Sequence, residues 1–107
     1  MTWTVLFVNA AAQAELHALP SDMRARFERI VSLIRDNGLE KVHEPYVKHL
    51  EGRLWEMRLT GRDGIARAVY MTASGRRIVI LRTFVKKTEK TPRRELDLAL
   101  ERAKEVS

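Results

Sequence analysis

Along residues 21–38 (SDMRARFERIVSLIRDNG) apolar side chains return every three or four positions, and from Tyr46 onward they return every second one. This change of period limits the fold more than any other feature. An apolar stripe at helical spacing cannot sit on one face of a strand, nor an alternating one on a helix. Met23, Phe27, Ile30, Val31 and Ile34 make a single helical stripe, with charges opposite and Gly38 as the C-terminal stop. Pro20 breaks the chain ahead of that helix and is tolerated at its opening. Residues 2–8 (TWTVLFV) are β-branched, aromatic and apolar on both faces, which predicts a strand covered on both sides. Asn9 suits the N-cap of a short alanine-rich helix running through Leu19. Residues 10–37 therefore read as a helical hairpin.

In RLWEMRL (53–59), Leu54, Glu56 and Arg58 alternate with Trp55, Met57 and Leu59. GRDG (61–64) turns this strand into IARAVYMT (65–72), and Ser74-Gly75 turns that one into RRIVILRTF (76–84). Connections this short predict an antiparallel meander. A polar basic loop, VKKTEK, follows. Thr91 then reads as the cap of a last helix with Pro92 at its first position and Leu96, Ala99, Leu100 and Ala103 as its apolar stripe. The order β-α-α-β-β-β-α predicts an α+β fold. It places a curved, mainly antiparallel sheet against an N-terminal helical hairpin and a C-terminal helix, in one domain over residues 1–107.

Several function classes drop out. The chain has no cysteine, so disulfide scaffolds, thiolate metal sites and a cysteine nucleophile are excluded. Its apolar runs fall far short of the roughly 20 residues that cross a bilayer. The N-terminus has no basic start and carries Glu15, so it reads as a strand and helix rather than a leader. The expected location is the cytoplasm. The five glycines fall in turns or at a helix end, leaving no phosphate-cradling loop. His17, His43 and His49 are far apart and on different elements, and each reads as an ordinary histidine. No metal, cofactor or serine triad is expected.

Charge is the positive clue. Residues 1–40 hold four basic side chains against five acidic ones, whereas residues 48–94 hold thirteen against four. So lopsided a field attracts polyanions, nucleic acid above all. Some of these cations fall on strands. Arg58 shares a strand face with Leu54 and Glu56, Arg67 sits among apolar neighbours in IARAVY, Lys48 lies before the meander, and Lys86 and Lys87 lie just beyond it. A cation inside a strand is costly if it faces the core unpaired. Arg67 therefore either pairs with Glu56, stabilising the sheet, or faces a solvated groove where several cations converge on phosphate.

Taken together, LWEMRL, ARAVY, the hydrophobic strand after it, KHLEGR before it, and above all FVKKTEKTPRRELDLALERAKE (84–105) resemble the phage-derived Gp49-like/HigB branch of the RelE-type toxin superfamily. The resemblance spans most of the chain. It implies the toxin of a type II toxin–antitoxin pair, typically a ribosome-dependent mRNA interferase restrained by an antitoxin that is often a helix-turn-helix DNA-binding protein. Carried over residue by residue, the family's strand cation falls on Arg58. The arginine of its R-x-x-Y pattern falls on Arg67, with Tyr70 as aromatic partner, and the basic pair after the last strand falls on Lys86 and Lys87. This chain has TPRRE where some relatives carry a tyrosine, and Glu56 where they carry a lysine.

The activity so implied is metal-free cleavage by the ribose 2′-hydroxyl, leaving a 2′,3′-cyclic phosphate. Arg58, Arg67, Lys86 and Lys87 would stabilise the phosphate, each such contact being worth roughly 10²–10³ in rate. Lys48 or Lys87, crowded by cations, would serve as base, with Glu56 competing for that role. Arg53, Arg62, Arg76, Arg77, Arg82, Arg93 and Arg94 would add contacts to messenger or ribosomal RNA. The partners implied are antitoxin, ribosome and mRNA, with no membrane. Two other readings stand beside it: a non-catalytic nucleic-acid- or antitoxin-binding module of the same fold, and a structural phage or host protein.

Overall fold

A computed structural model describes residues 2–87 and 89–107. Thr88, within the basic motif, lies outside them. Five strands form one sheet: β1 (Thr4–Phe7), β2 (Val47–Glu51), β3 (Leu54–Gly61), β4 (Gly64–Ala73) and β5 (Arg77–Lys86). Their order across the sheet is β1-β5-β4-β3-β2. β1 runs parallel to β5, and the other pairs are antiparallel. The helices are α1 (Ala10–His17), α2 (Ser21–Asn37) and α3 (Arg93–Ala103), with a 3₁₀ turn at Leu39–Lys41.

The α+β expectation holds, with one strand added. β2 makes an edge strand against β3, bulged between His49 and Glu51. Its sequence, VKHLE, is short and half polar, and the bulge breaks the alternation that would have marked it. Asn9 caps α1 as expected, its side-chain oxygen accepting the Ala12 N–H at 2.9 Å. Thr91 does not cap α3. That helix starts after Pro92 with no side-chain cap bond, and the Thr91 hydroxyl is engaged elsewhere.

The sheet has two dissimilar faces. On one, Met23, Phe27, Ile30, Val31 and Ile34 of α2 meet Met57, Leu59, Ala66, Ala68, Tyr70, Ile78 and Ile80 in the main core. On the other, α3 lies over a smaller cluster built around Leu54, Val69, Met71, Val79, Leu81 and Phe84. Of the expected α3 stripe only Ala99 is buried. Leu96 and Ala103 are partly covered, and Leu100 is exposed.

Charge secures α3 where apolar area does not. Glu15 of α1 binds Arg102 through both carboxylate oxygens, at 2.8 and 2.9 Å, and pairs with Arg82 at 2.7 Å. Arg82 in turn reaches Glu95 at 2.8 Å. The β3–β4 turn is fixed by α2: a Cβ on Gly61 would lie 2.7 Å from Met23 Cγ, and Asp22 accepts the Arg62 N–H. That contact sets the end of the sheet where the cations gather.

Candidate active site

Residues paired across neighbouring strands share a sheet face. Lys48 pairs with Glu56, Glu56 with Val69, Arg58 with Arg67, Arg67 with Phe84, and Ile65 with Lys86. Lys48, Glu56, Arg58, Arg67 and Lys86 therefore project from four adjacent strands onto one face, the one carrying α3. At the end beside the β3–β4 turn, Arg58, Arg67 and Lys86 border an open hollow of about 490 Å³. It is lined by Arg58, Arg67, Lys86 and Lys87, with Ile65 and Glu89 completing the wall.

The register sets two arginines directly opposite each other, an arrangement that repels. Glu56 relieves it. Its carboxylate is fully buried, forms an ion pair with the Arg67 guanidinium, and accepts the Thr91 hydroxyl at 3.1 Å. Both outcomes weighed for Arg67 thus meet in one side chain, which is paired with Glu56 and also borders the hollow. At 3% exposure Arg67 offers RNA little surface of its own, and burial pushes its guanidinium down from the ordinary range. Its Nε is buried without a hydrogen-bond acceptor among the described residues.

Lys86 is the amine that crowding affects. Burial lowers its pKa below the ordinary 10.5, and the charges of Arg67, Arg58 and Lys48 lower it further against the opposing pull of Glu89. The expected bases were Lys48 and Lys87. Lys48 contributes its charge to this field, and Lys87 lines the exposed rim. Glu56 is fully buried against Arg67 and Thr91 and does not line the hollow.

The wider set of expected RNA contacts does not assemble. Tyr70 is three residues from Arg67 on a strand and so projects from the opposite face. It is 1% exposed in the main core, where burial pushes its phenol well up, and it is not Arg67's aromatic partner. Arg53, Arg76 and Arg77 lie at the far end of β4 and β5. Arg53 donates to the Thr72 carbonyl, Arg77 to those of Ser74 and Ser107, and Arg76 sits 6.0 Å above the Trp3 ring. Arg82 is committed to Glu15 and Glu95, and Arg93 to Glu51 and Asp97. Arg62 and Arg94 are exposed, in the β3–β4 turn and the first turn of α3. Sequence reasoning overlooked Glu89 and Thr91 as parts of the site. Thr91 and Glu56 are 35 positions apart with no periodic signal linking them, so only the tertiary fold reveals that bond.

A family model for phage-derived Gp49-like protein matches residues 14–104. The chain belongs to the Gp49-like family. Its fold is RelE-like. A chain from the RelE–RelB complex of the archaeon Pyrococcus horikoshii OT3 superposes with a TM-score of 0.61 at 22% identity, covering 81% of this chain and 98% of that one. One from the YoeB–YefM complex of Staphylococcus aureus superposes with a TM-score of 0.55 at 15% identity, covering 78% and 95%. No curated protein sequence matches. The fold and family inferred from the sequence of this Gp49-like protein are therefore the ones found.

Proposed function

We propose that this Gp49-like protein is the toxin of a type II toxin–antitoxin pair and acts in the cytoplasm as a ribosome-dependent mRNA endoribonuclease. The observation that carries the reading is the convergence of Arg58, Arg67, Lys86 and Lys87 on one open hollow. Similarity to chains from the RelE–RelB and YoeB–YefM complexes supports a cognate antitoxin as its protein partner.

In this mechanism the hollow receives one RNA phosphate. Arg58 and Lys87 grip its non-bridging oxygens, and Arg67, fixed by Glu56, adds a preplaced charge where negative charge grows. The Lys86 amine takes the proton of the 2′-hydroxyl, whose oxygen attacks phosphorus. The bond to the 5′-oxygen breaks, the Lys87 ammonium protonates that oxygen, and a 2′,3′-cyclic phosphate remains. A depressed lysine pKa suits this role, since more of the amine is free at neutral pH. The ribosome supplies in-line alignment, which a small domain cannot impose alone.

The test is to map mRNA ends on translating ribosomes after brief induction. New internal ends with growth arrest are expected, and arrest with intact messengers would overturn the nuclease reading. Lys86→Ala should lower cleavage about 10²–10⁴-fold. Lys86→Arg keeps the charge but cannot accept the proton, so it should be equally impaired; full activity would reduce Lys86 to an electrostatic role. Wild-type activity should rise with pH along a limb lying below 10.5, as the amine deprotonates. The non-catalytic alternative is favoured by TPRRE standing where some relatives carry a tyrosine, and by the burial of Arg67 against Glu56, which removes one cation from direct contact.

A further inference from the structure

A second hollow is larger than the cationic one. On the opposite face of the sheet, beyond the 3₁₀ turn, lies an open pocket of about 690 Å³, within the range of small-ligand sites. Its floor is a row of rings laid across three strands. His49 on β2 pairs with Trp55 on β3, which pairs with Tyr70 on β4. His49 is held by a 2.8 Å hydrogen bond to the Gly52 carbonyl and packs edge-on against Trp55, centroids 4.9 Å apart. Trp55 is thereby braced, yet it remains 38% exposed, unusual for an indole inside a pocket. Trp3 closes one side, and its indole N–H is buried without an acceptor among the described residues.

The polar groups select the ligand. Glu40 and Glu44 line the pocket, both exposed and neither ion-paired among the described residues. Lys48 is the basic residue of the lining, and the register turns its side chain toward the other face. A phosphate would thus meet two carboxylates here, with only Lys48, turned away, and the imidazoles of His43 and His49 as basic groups. A flat, uncharged ring rich in N–H donors meets an aromatic floor and carboxylate acceptors. Guanine fits this description better than adenine, because its adjacent ring and exocyclic N–H groups can both reach one carboxylate.

We propose that this pocket binds a guanine ring, stacked on Trp55 and held along its N–H edge by Glu40 or Glu44. The proposal stands independently of RNA cleavage, because the two hollows share no lining residue and only the charge of Lys48 reaches Lys86. The same ring could arrive as a free nucleoside or as an unpaired base of an RNA strand, so the test uses both.

Tryptophan fluorescence of the full chain is titrated with guanosine, adenosine, guanosine monophosphate and a short single-stranded RNA carrying one guanine. Saturable quenching by guanosine is expected, several-fold tighter than by adenosine and no tighter with the monophosphate. Trp55→Ala should weaken binding about tenfold, the loss of one base stack. The double variant Glu40→Gln/Glu44→Gln, whose exposed sites do not bear on folding, should abolish the preference for guanosine. Displacement of guanosine by the RNA assigns the pocket to a base of a strand, and failure to displace it assigns it to the nucleoside. No saturable quenching, equal binding of adenosine, or guanosine binding that survives both variants would overturn the proposal. Lys86→Ala should bind guanosine as the wild type does, even if it abolishes cleavage.

Discussion

The two faces of the sheet solve the same packing problem with different chemistry. The α2 face is held by bulk: five apolar side chains of one helix are buried against three central strands. The α3 face is held by charge, with Glu15, Arg82, Glu95 and Arg102 linking three elements and Glu56 anchoring Arg67 beneath them. Apolar burial is indifferent to pH and nearly so to salt, whereas ion pairs depend on both. The face with the candidate chemistry is therefore the one whose integrity follows solution conditions. A cationic hollow needs cations in its walls, and the carboxylates that hold those walls together come with them.

Five variants would break or sharpen this contrast. The largest effect on stability should come from Glu56→Ala. It leaves the Arg67 guanidinium buried without its counter-charge beside Arg58, at a cost of about 3–5 kcal/mol in denaturant unfolding. Replacing both partners, as Glu56→Leu with Arg67→Met, should recover most of that loss; no recovery would mean the pair acts through something other than its charges. On the opposite face Ile34→Ala removes a fully buried side chain and should cost about 2–4 kcal/mol, by the same amount at high and low salt.

Glu15→Gln should cost about 1–2 kcal/mol at neutral pH. Burial pushes the Glu15 carboxyl up, but hydrogen bonds from Arg102 and the Thr83 N–H, with the charges of Arg82 and Arg102, leave it below its ordinary 4.5. A carboxyl depressed in the folded state stabilises fully above its unfolded pKa and loses that contribution as pH falls through the folded value. Wild-type stability should accordingly fall on acidification below about pH 4.5 more steeply than that of the glutamine variant. Equal slopes would show that Glu15 does not govern the acid response. Smallest of all, Arg93→Ala severs exposed pairs with Glu51 and Asp97 and should leave the unfolding midpoint within error at physiological salt.

The same contrast explains what could be read in advance. The α2 stripe was legible because apolar periodicity reports directly on a face packed by apolar burial. On the charged face, sequence shows which residues are ionic but not which acid each cation will meet. Arg82 and Arg93 read as RNA contacts for that reason, yet Glu15, Glu95, Glu51 and Asp97 lie against them. Arg58, Arg67 and Lys86 were legible as neighbours because hairpin register follows from short turns. Tyr70 lies off the site because strand alternation, unlike motif spacing, sends residues three apart to opposite faces. Thr91 was read locally as a cap when its partner lay across the sheet.

The parallel pairing of β1 with β5 has a consequence for how the molecule is born. Thr4 finds its ladder partner only at Arg77, so the first strand leaves the ribosome long before the strand it must join. The hollow is assembled later still, since Lys86 and Lys87 come from the far end of that last strand. No nascent chain that stops short of them contains the full set of cations, and none that stops short of Thr91 has the hydroxyl that steadies Glu56. The candidate site is thus complete only once the chain has been made as far as Thr91.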